Sequence, residues 1–194
     1  EVAKIEAVFR CYKKLGFELI PSDLSAPDGW EATKNPDGTM TDEWGRILGY
    51  DPLAKTWWPI RSIFHTPEDF EKFAFPNPEA PGRLYGLEQM KKLVGNEFAV
   101  MVVIRDPFAQ AWEMFTAKNF VHWMYEKPLV VRKAIEKLAD FNVAVLKRLR
   151  EVGVDLVFSG GDYSEKNGPM VPLRFFRDVV FPNLKRQVEE THRL

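Results

Sequence analysis

Cysteine and histidine are scarce in this sequence: one cysteine, Cys11, and three histidines, His65, His122 and His192, among 194 residues. A single thiol cannot close an internal disulfide, and with three scattered histidines it cannot assemble a structural zinc site. Such a chain is expected in a reducing, cytoplasmic setting. A surplus of charge is also missing. The 27 Lys and Arg nearly balance 28 Asp and Glu, and a formal net charge of -1 gives no electrostatic case for a nucleic acid or an anionic membrane as partner. No apolar run approaches the roughly 20 residues needed to span a bilayer. There is no phosphate-binding loop, dinucleotide glycine fingerprint, nucleophile elbow or kinase set. The opening Glu1-Val2-Ala3-Lys4 has neither a start Met nor the layout of a signal peptide, and it enters directly in helical pattern. The expectation is a segment of a longer chain.

Apolar residues make up 45% and aromatics 13%, enough to bury a real core within one domain. Val2, Ile5, Val8, Phe9, Tyr12 and Leu15 form a helical stripe over 1–15, closed by Gly16. Phe17-Glu18-Leu19-Ile20 reads as a short strand ending at Pro21-Ser22-Asp23. Asn35-Pro36-Asp37-Gly38 is a strong turn, so 31–50 reads as a hairpin with Asp42-Glu43-Trp44-Gly45-Arg46 on its second arm. Thr66-Pro67-Glu68-Asp69 starts a short helix, a proline-rich connector runs from Pro76 to Pro81, and 84–94 is a helix ended by Gly95. Phe98 to Ile104 is a continuous β-branched run, the pattern of a strand buried on both faces. A helix follows Arg105-Asp106-Pro107, and 128–152 is the longest helix, ended by Gly153. Val154 to Phe158 is the next buried strand, and a last helix from about Leu173 is kinked or interrupted at Pro182.

Strands separated by long helices pair in parallel through right-handed crossovers. Three such strands cannot close a barrel, so two α/β readings stand: a small open sheet, or a slice of a barrel. In both, ligands bind beyond the carboxyl ends of the strands. Those ends carry Ser22-Asp23, Arg105-Asp106 and Gly160-Gly161-Asp162-Tyr163. Asp23 and Asp106 could equally cap the segments that follow them. Arg105 could grip a carboxylate or phosphate, or pair with Asp23 or Asp162. Gly160-Gly161 allows close backbone approach to a ligand. Trp44, Trp57 and Trp58 read as packing the hairpin on the sheet, the histidines as surface residues, and the Lys/Arg face of 132–150 as a solvated face.

Four segments carry a resemblance: Ile20-Pro21-Ser22-Asp23-Leu24; Asp42-Glu43-Trp44-Gly45; Gly161-Asp162-Tyr163 with Asn167-Gly168-Pro169-Met170; and Arg174 to Asp178 through Phe181 to Lys185. In order and spacing they resemble the uroporphyrinogen decarboxylase superfamily, in the branch that includes methylcobamide:coenzyme M methyltransferases. The resemblance implies a (β/α)8 TIM barrel, of which residues 1–194 form a single partial domain. This would be about units two to four, with a β-hairpin insertion at about 31–60, and the remainder of the same barrel would complete the site.

The resemblance also implies corrinoid-dependent methyl transfer between a corrinoid protein, which carries methylcobalamin, and a small-molecule methyl donor or acceptor. Zinc is implied for the complete protein, with its ligands outside this chain, and the segment alone is expected to be inactive. Asp23 falls where the decarboxylases hold their catalytic aspartate. Asp162 with Tyr163 would line the barrel mouth, and Arg105 would bind polar parts of substrate. Glu113 lies near the position of a substrate-binding tyrosine, and Gly160-Gly161 replaces a serine; both depart from the decarboxylase pattern. Cofactor-free porphyrinogen decarboxylation and a non-catalytic corrinoid-protein-binding module remain the alternatives.

Overall fold

The computed structural model describes residues 2–194. Helix α1, Val2–Leu15, ends as its stripe requires: Gly16 turns left-handed with φ 74°, and Phe17 N–H closes back on Tyr12 O at 3.1 Å. That closure uses Phe17, so strand β1 is Leu19–Asp23, beginning two residues later than the apolar run and passing through Pro21. It is an edge strand of its sheet, where a proline is tolerated.

The insertion is larger than a hairpin. Strands β2 (Thr33–Lys34), β3 (Met40–Thr41), β4 (Arg46–Asp51) and β5 (Thr56–Ser62) form a four-stranded antiparallel sheet in sequence order. Asn35 to Gly38 makes the expected turn, with Gly38 at φ 81° and its N–H on Asn35 O at 3.1 Å. Asp42 to Gly45 does not lie on a strand arm. The Asp42 carboxylate accepts from Trp44 N–H at 3.0 Å and Arg46 N–H at 2.9 Å, a local ring that wins over ladder bonding and makes the β3–β4 turn.

Helix α2, Pro67–Lys72, carries a full capping box between Thr66 and Asp69. Helix α3 is Tyr85–Val94, and strand β6 is Ala99–Arg105. The next helical stretch is split at Thr116, whose φ of 67° separates α4 (Pro107–Phe115) from α5 (Ala117–Glu126). Helix α6 is Pro128–Val152, ended by left-handed Gly153. Strand β7 is Leu156–Gly160, two residues later than the apolar run, because Asp155 is occupied elsewhere: its carboxylate accepts from Val100 N–H at 2.8 Å and Lys91 Nζ at 2.7 Å. A small hairpin of β8 (Ser164–Glu165) and β9 (Gly168–Pro169) follows, then α7 (Leu173–Phe175) and α8 (Phe181–Arg193). Between the last two, Phe176–Val180 is π-helical. Pro182 has no N–H to give and its ring crowds the preceding turn, and the wide turn just before it is the interruption the sequence anticipates.

Strands β1, β6 and β7 form one parallel sheet in that order. Its two faces differ. Ile20, Val100, Val102 and Ile104 are buried against α1, α3 and α6. The opposite face carries the rows Pro21–Met101–Leu156 and Asp23–Val103–Phe158, with Leu156 and Phe158 half exposed. The expectation that β6 and β7 are buried on both faces therefore holds for one face of β6 only, and β7 has no fully buried residue on either face. Trp44 packs edge-to-face on Phe141 at 4.9 Å, as a hairpin anchor should, whereas Trp57 and Trp58 are exposed on the β4–β5 hairpin. A second core, rich in aromatics, gathers Phe64, Phe70, Phe108, Phe115, Phe120 and Phe176.

Two outcomes are expected. Phe64 is fully buried and meets Phe70, Phe73 and Phe115 edge-to-face, so Phe64→Ala should cost about 3–5 kcal/mol in denaturant unfolding. Asp37 accepts from Thr39 and from Arg61, and these bonds lower its pKa from 3.8 to about 2. A carboxylate with a depressed folded pKa stabilises above its unfolded value and loses that contribution as pH falls through the folded one. The stability gap between wild type and Asp37→Ala should therefore close between pH 3.8 and about 2 in thermal melts followed against pH.

Candidate active site at the carboxyl ends of the parallel strands

Parallel pairing brings Asp23, Arg105 and the segment after Gly160 to one end of the sheet. There the charges form an alternating chain. Arg46 donates from Nε to Asp42 at 2.6 Å and from Nη1 to Glu113 at 2.5 Å. Arg105 donates from Nε to the same Glu113 at 2.8 Å, bonds it again through Nη2, and reaches Asp162 at 2.7 Å. Glu113 is buried on α4, so one carboxylate joins the insertion, the helix and the sheet. Burial disfavours the Arg105 cation, but the bonds and charges of Asp162 and Glu113 outweigh it and raise its pKa.

Of the acids that Arg105 could pair with, it takes Asp162 and leaves Asp23 exposed, with no hydrogen-bond partner among the described residues. Asp106 takes the capping role: fully buried, it accepts from Phe108 N–H at 2.8 Å at the start of α4 and from the Tyr163 hydroxyl at 2.8 Å. Burial pushes its carboxyl up, against the downward pull of these bonds. Burial and the neighbouring Asp106 likewise push the Tyr163 phenol up, keeping it a donor. Tyr163 thus fixes the loop that carries Asp162. A Cβ on Gly161 would lie 2.9 Å from the Tyr163 ring and 3.0 Å from Asp106 Cβ, so the close approach that this glycine permits is to its own loop.

Arg46, Asp42, Glu43, Arg83 and Gln110 were not singled out from sequence for this site. Arg83, almost fully buried, forms a bidentate pair with Glu43 at 2.6 and 2.9 Å and packs over the Phe141 ring at 5.5 Å. The only local signal is the Asp42/Arg46 spacing of four. The partner of Arg46 lies 67 residues away, and that of Glu43 40 residues away. Under this turn lies a cavity of about 280 Å³ bordered by Asp23, Arg46, Arg105 and Gln110. A larger one, about 590 Å³, lies beside the loop after β1, and Asp23 borders both. Among the described residues no three His, Cys, Asp or Glu side chains come together to hold a metal ion. The described residues therefore offer no ligand set for the zinc that the resemblance implies.

Glu113→Ala should leave two guanidinium groups without their shared acid. Full burial of such a break costs about 3–5 kcal/mol, and the partial exposure of both arginines reduces it to about 2–3 kcal/mol in chemical denaturation. A loss below about 1 kcal/mol would contradict the central place given to this carboxylate.

No curated protein matches the chain in sequence at a significant level. A methyltransferase from Methanosarcina mazei has the same fold, with a TM-score of 0.63 over 96% of this chain at 13% identity. The chain spans about half, 52%, of that protein. A family model described as Uroporphyrinogen decarboxylase (URO-D) matches residues 59–194. With most of its length inside that match and its acids and arginines gathered at the strand ends, the chain belongs to the uroporphyrinogen decarboxylase (URO-D) family.

Proposed function

We propose that residues 1–194 are about units two to four of a (β/α)8 barrel whose complete form moves a methyl group between a corrinoid protein and a small thiol or similar acceptor. The observation that carries this reading is the convergence of Asp23, Arg105 and Asp162 at the carboxyl end of a parallel sheet, in a chain with the fold of half a methyltransferase. The half-exposed Leu156 and Phe158 on the opposite sheet face suit an interior that the remainder of the same barrel would cover.

In this reading a thiolate attacks the cobalt-bound methyl group, the cobalt–carbon bond breaks with its electron pair left on cobalt, and a sulfur–carbon bond forms. Asp23 and Asp162 flank the reacting region, Arg105 binds polar substrate atoms through the edge that Glu113 leaves open, and Tyr163 steadies the loop. The exposed Tyr50, Trp57, Trp58 and Ile60 of the β4–β5 hairpin are the surface offered to the corrinoid protein. The single exposed Cys11 suits a reducing cytoplasm.

Methylcobalamin and a thiol, mixed with the full-length protein, should give demethylated corrinoid and thioether. Asp162→Ala should slow this by about 10-fold or more while Asp42, on the outer end of the chain, tolerates Asn with a smaller effect. No transfer would end the reading. The family match and the exposed, unpartnered Asp23 favour one second reading, decarboxylation of a porphyrinogen with Asp23 stabilising a pyrrole cation. Turnover of uroporphyrinogen, abolished by Asp23→Asn, would establish it instead. Binding of a methylcobalamin protein with neither reaction would leave a corrinoid-protein-binding module.

A further inference from the structure

The cavity of about 280 Å³ under the Asp42–Arg46 turn combines unspent donors with spent charge. Gln110 is 6% exposed, and its carboxamide nitrogen has no hydrogen-bond partner among the described residues. Among the described residues no acceptor meets Arg46 Nη2 or Arg105 Nη1, although the other nitrogens of both groups are engaged. A buried amide left unpaired destabilises the fold, and an apolar side chain of equal length would remove that cost. Packing alone therefore gives no reason for Gln110.

Charge decides what these donors can receive. Three guanidinium groups already bond four carboxylates: Arg46 with Asp42 and Glu113, Arg105 with Glu113 and Asp162, and Arg83 with Glu43. Asp23 adds a fifth acid at the rim. An anion entering here meets a net negative surrounding, and a cation meets N–H groups that point their hydrogens at it. An uncharged oxygen acceptor satisfies the donors without either penalty. Trp44, Phe141, Leu138 and Val103 line the rest of the cavity and favour an apolar body behind that oxygen.

We propose that this cavity is a subsite for an uncharged oxygen-bearing group, a carbonyl, amide or ether on an apolar or aromatic frame, held by Gln110, Arg46 and Arg105. The inference deepens the methyl-transfer reading by naming the substrate class that its strand-end site selects, and it rests on that reading for the place of the reacting centre. Benzamide, benzoate and benzylamine share a ring and differ in charge, so they are the probes. Titrated by NMR into the unmodified protein, benzamide should move the Gln110 side-chain amide and Trp44 indole resonances, and bind about 10-fold or more tightly than the other two. Gln110→Met should weaken benzamide about 10-fold while its thermal midpoint holds or rises, a pairing that a merely structural glutamine would not give.

A preference for benzoate or for benzylamine would overturn the proposal, as would benzamide binding that leaves the Gln110 and Trp44 resonances in place. The wild-type shifts decide the matter even if the variant does not fold. Binding is read without turnover. Absence of methyl transfer would therefore sink the catalytic reading alone, and the wrong charge preference would sink the subsite alone.

Discussion

The structure turns on one buried carboxylate. Glu113 sits on a helix that would otherwise bury only apolar residues and amides, and it is compensated by two arginines from separate parts of the chain. Removing an acid of this kind from water is costly, and the cost is recovered only while both guanidiniums keep their geometry. That condition ties the insertion to the sheet: Arg46 must come down from the start of β4, and Arg105 must leave the end of β6 at the right angle. The same restraint orients Arg105 toward Asp162, so the position of a loop after β7 depends on a turn more than a hundred residues earlier. The Arg83–Glu43 pair ties down the other side of that turn, and Trp44 between them bears on both core clusters.

What the sequence made legible is what local chemistry decides. The span of α6, the Asn35–Gly38 turn, the Thr66 cap and the parallel order of three strands all follow from periodicity, caps and turn residues. Strand boundaries followed less well. Phe17 is drawn into the helix closure and Asp155 into a lysine and a backbone amide, so both strands begin two residues late. The site was legible in part: Asp23, Arg105, Asp162 and Tyr163 meet at the strand ends because topology alone puts them there. Arg46, Arg83 and Gln110 were not, since their roles arise from partners 40 to 67 residues away or, for Gln110, from the absence of one.

Sheet and site express the same asymmetry. On the helix side of the sheet Ile20, Val100, Val102 and Ile104 are sealed, as a packed core requires. On the other side apolar rows end in Asp23 and Arg105, an apolar floor rising to a polar rim. A barrel uses its strands in this way, with packed layers below and chemistry at the carboxyl mouth. Fold similarity alone names no reaction, so the charges at the carboxyl ends of the strands have to supply the rest.

Those charges separate the two catalytic readings. A uroporphyrinogen is a polycarboxylate, and a site built for it needs guanidinium or ammonium groups whose charge is not already spent. Here each arginine at the strand ends is engaged by carboxylates within the chain, and Asp23 adds another acid that forms no ion pair among the described residues. Cationic residues from outside residues 1–194 would have to outweigh this balance before a polyanion could settle. A corrinoid methyl group carries no such requirement, and an uncharged co-substrate carries less. Within the family to which the chain belongs, the electrostatics of its own residues favour the methyl-transfer reading over porphyrinogen decarboxylation.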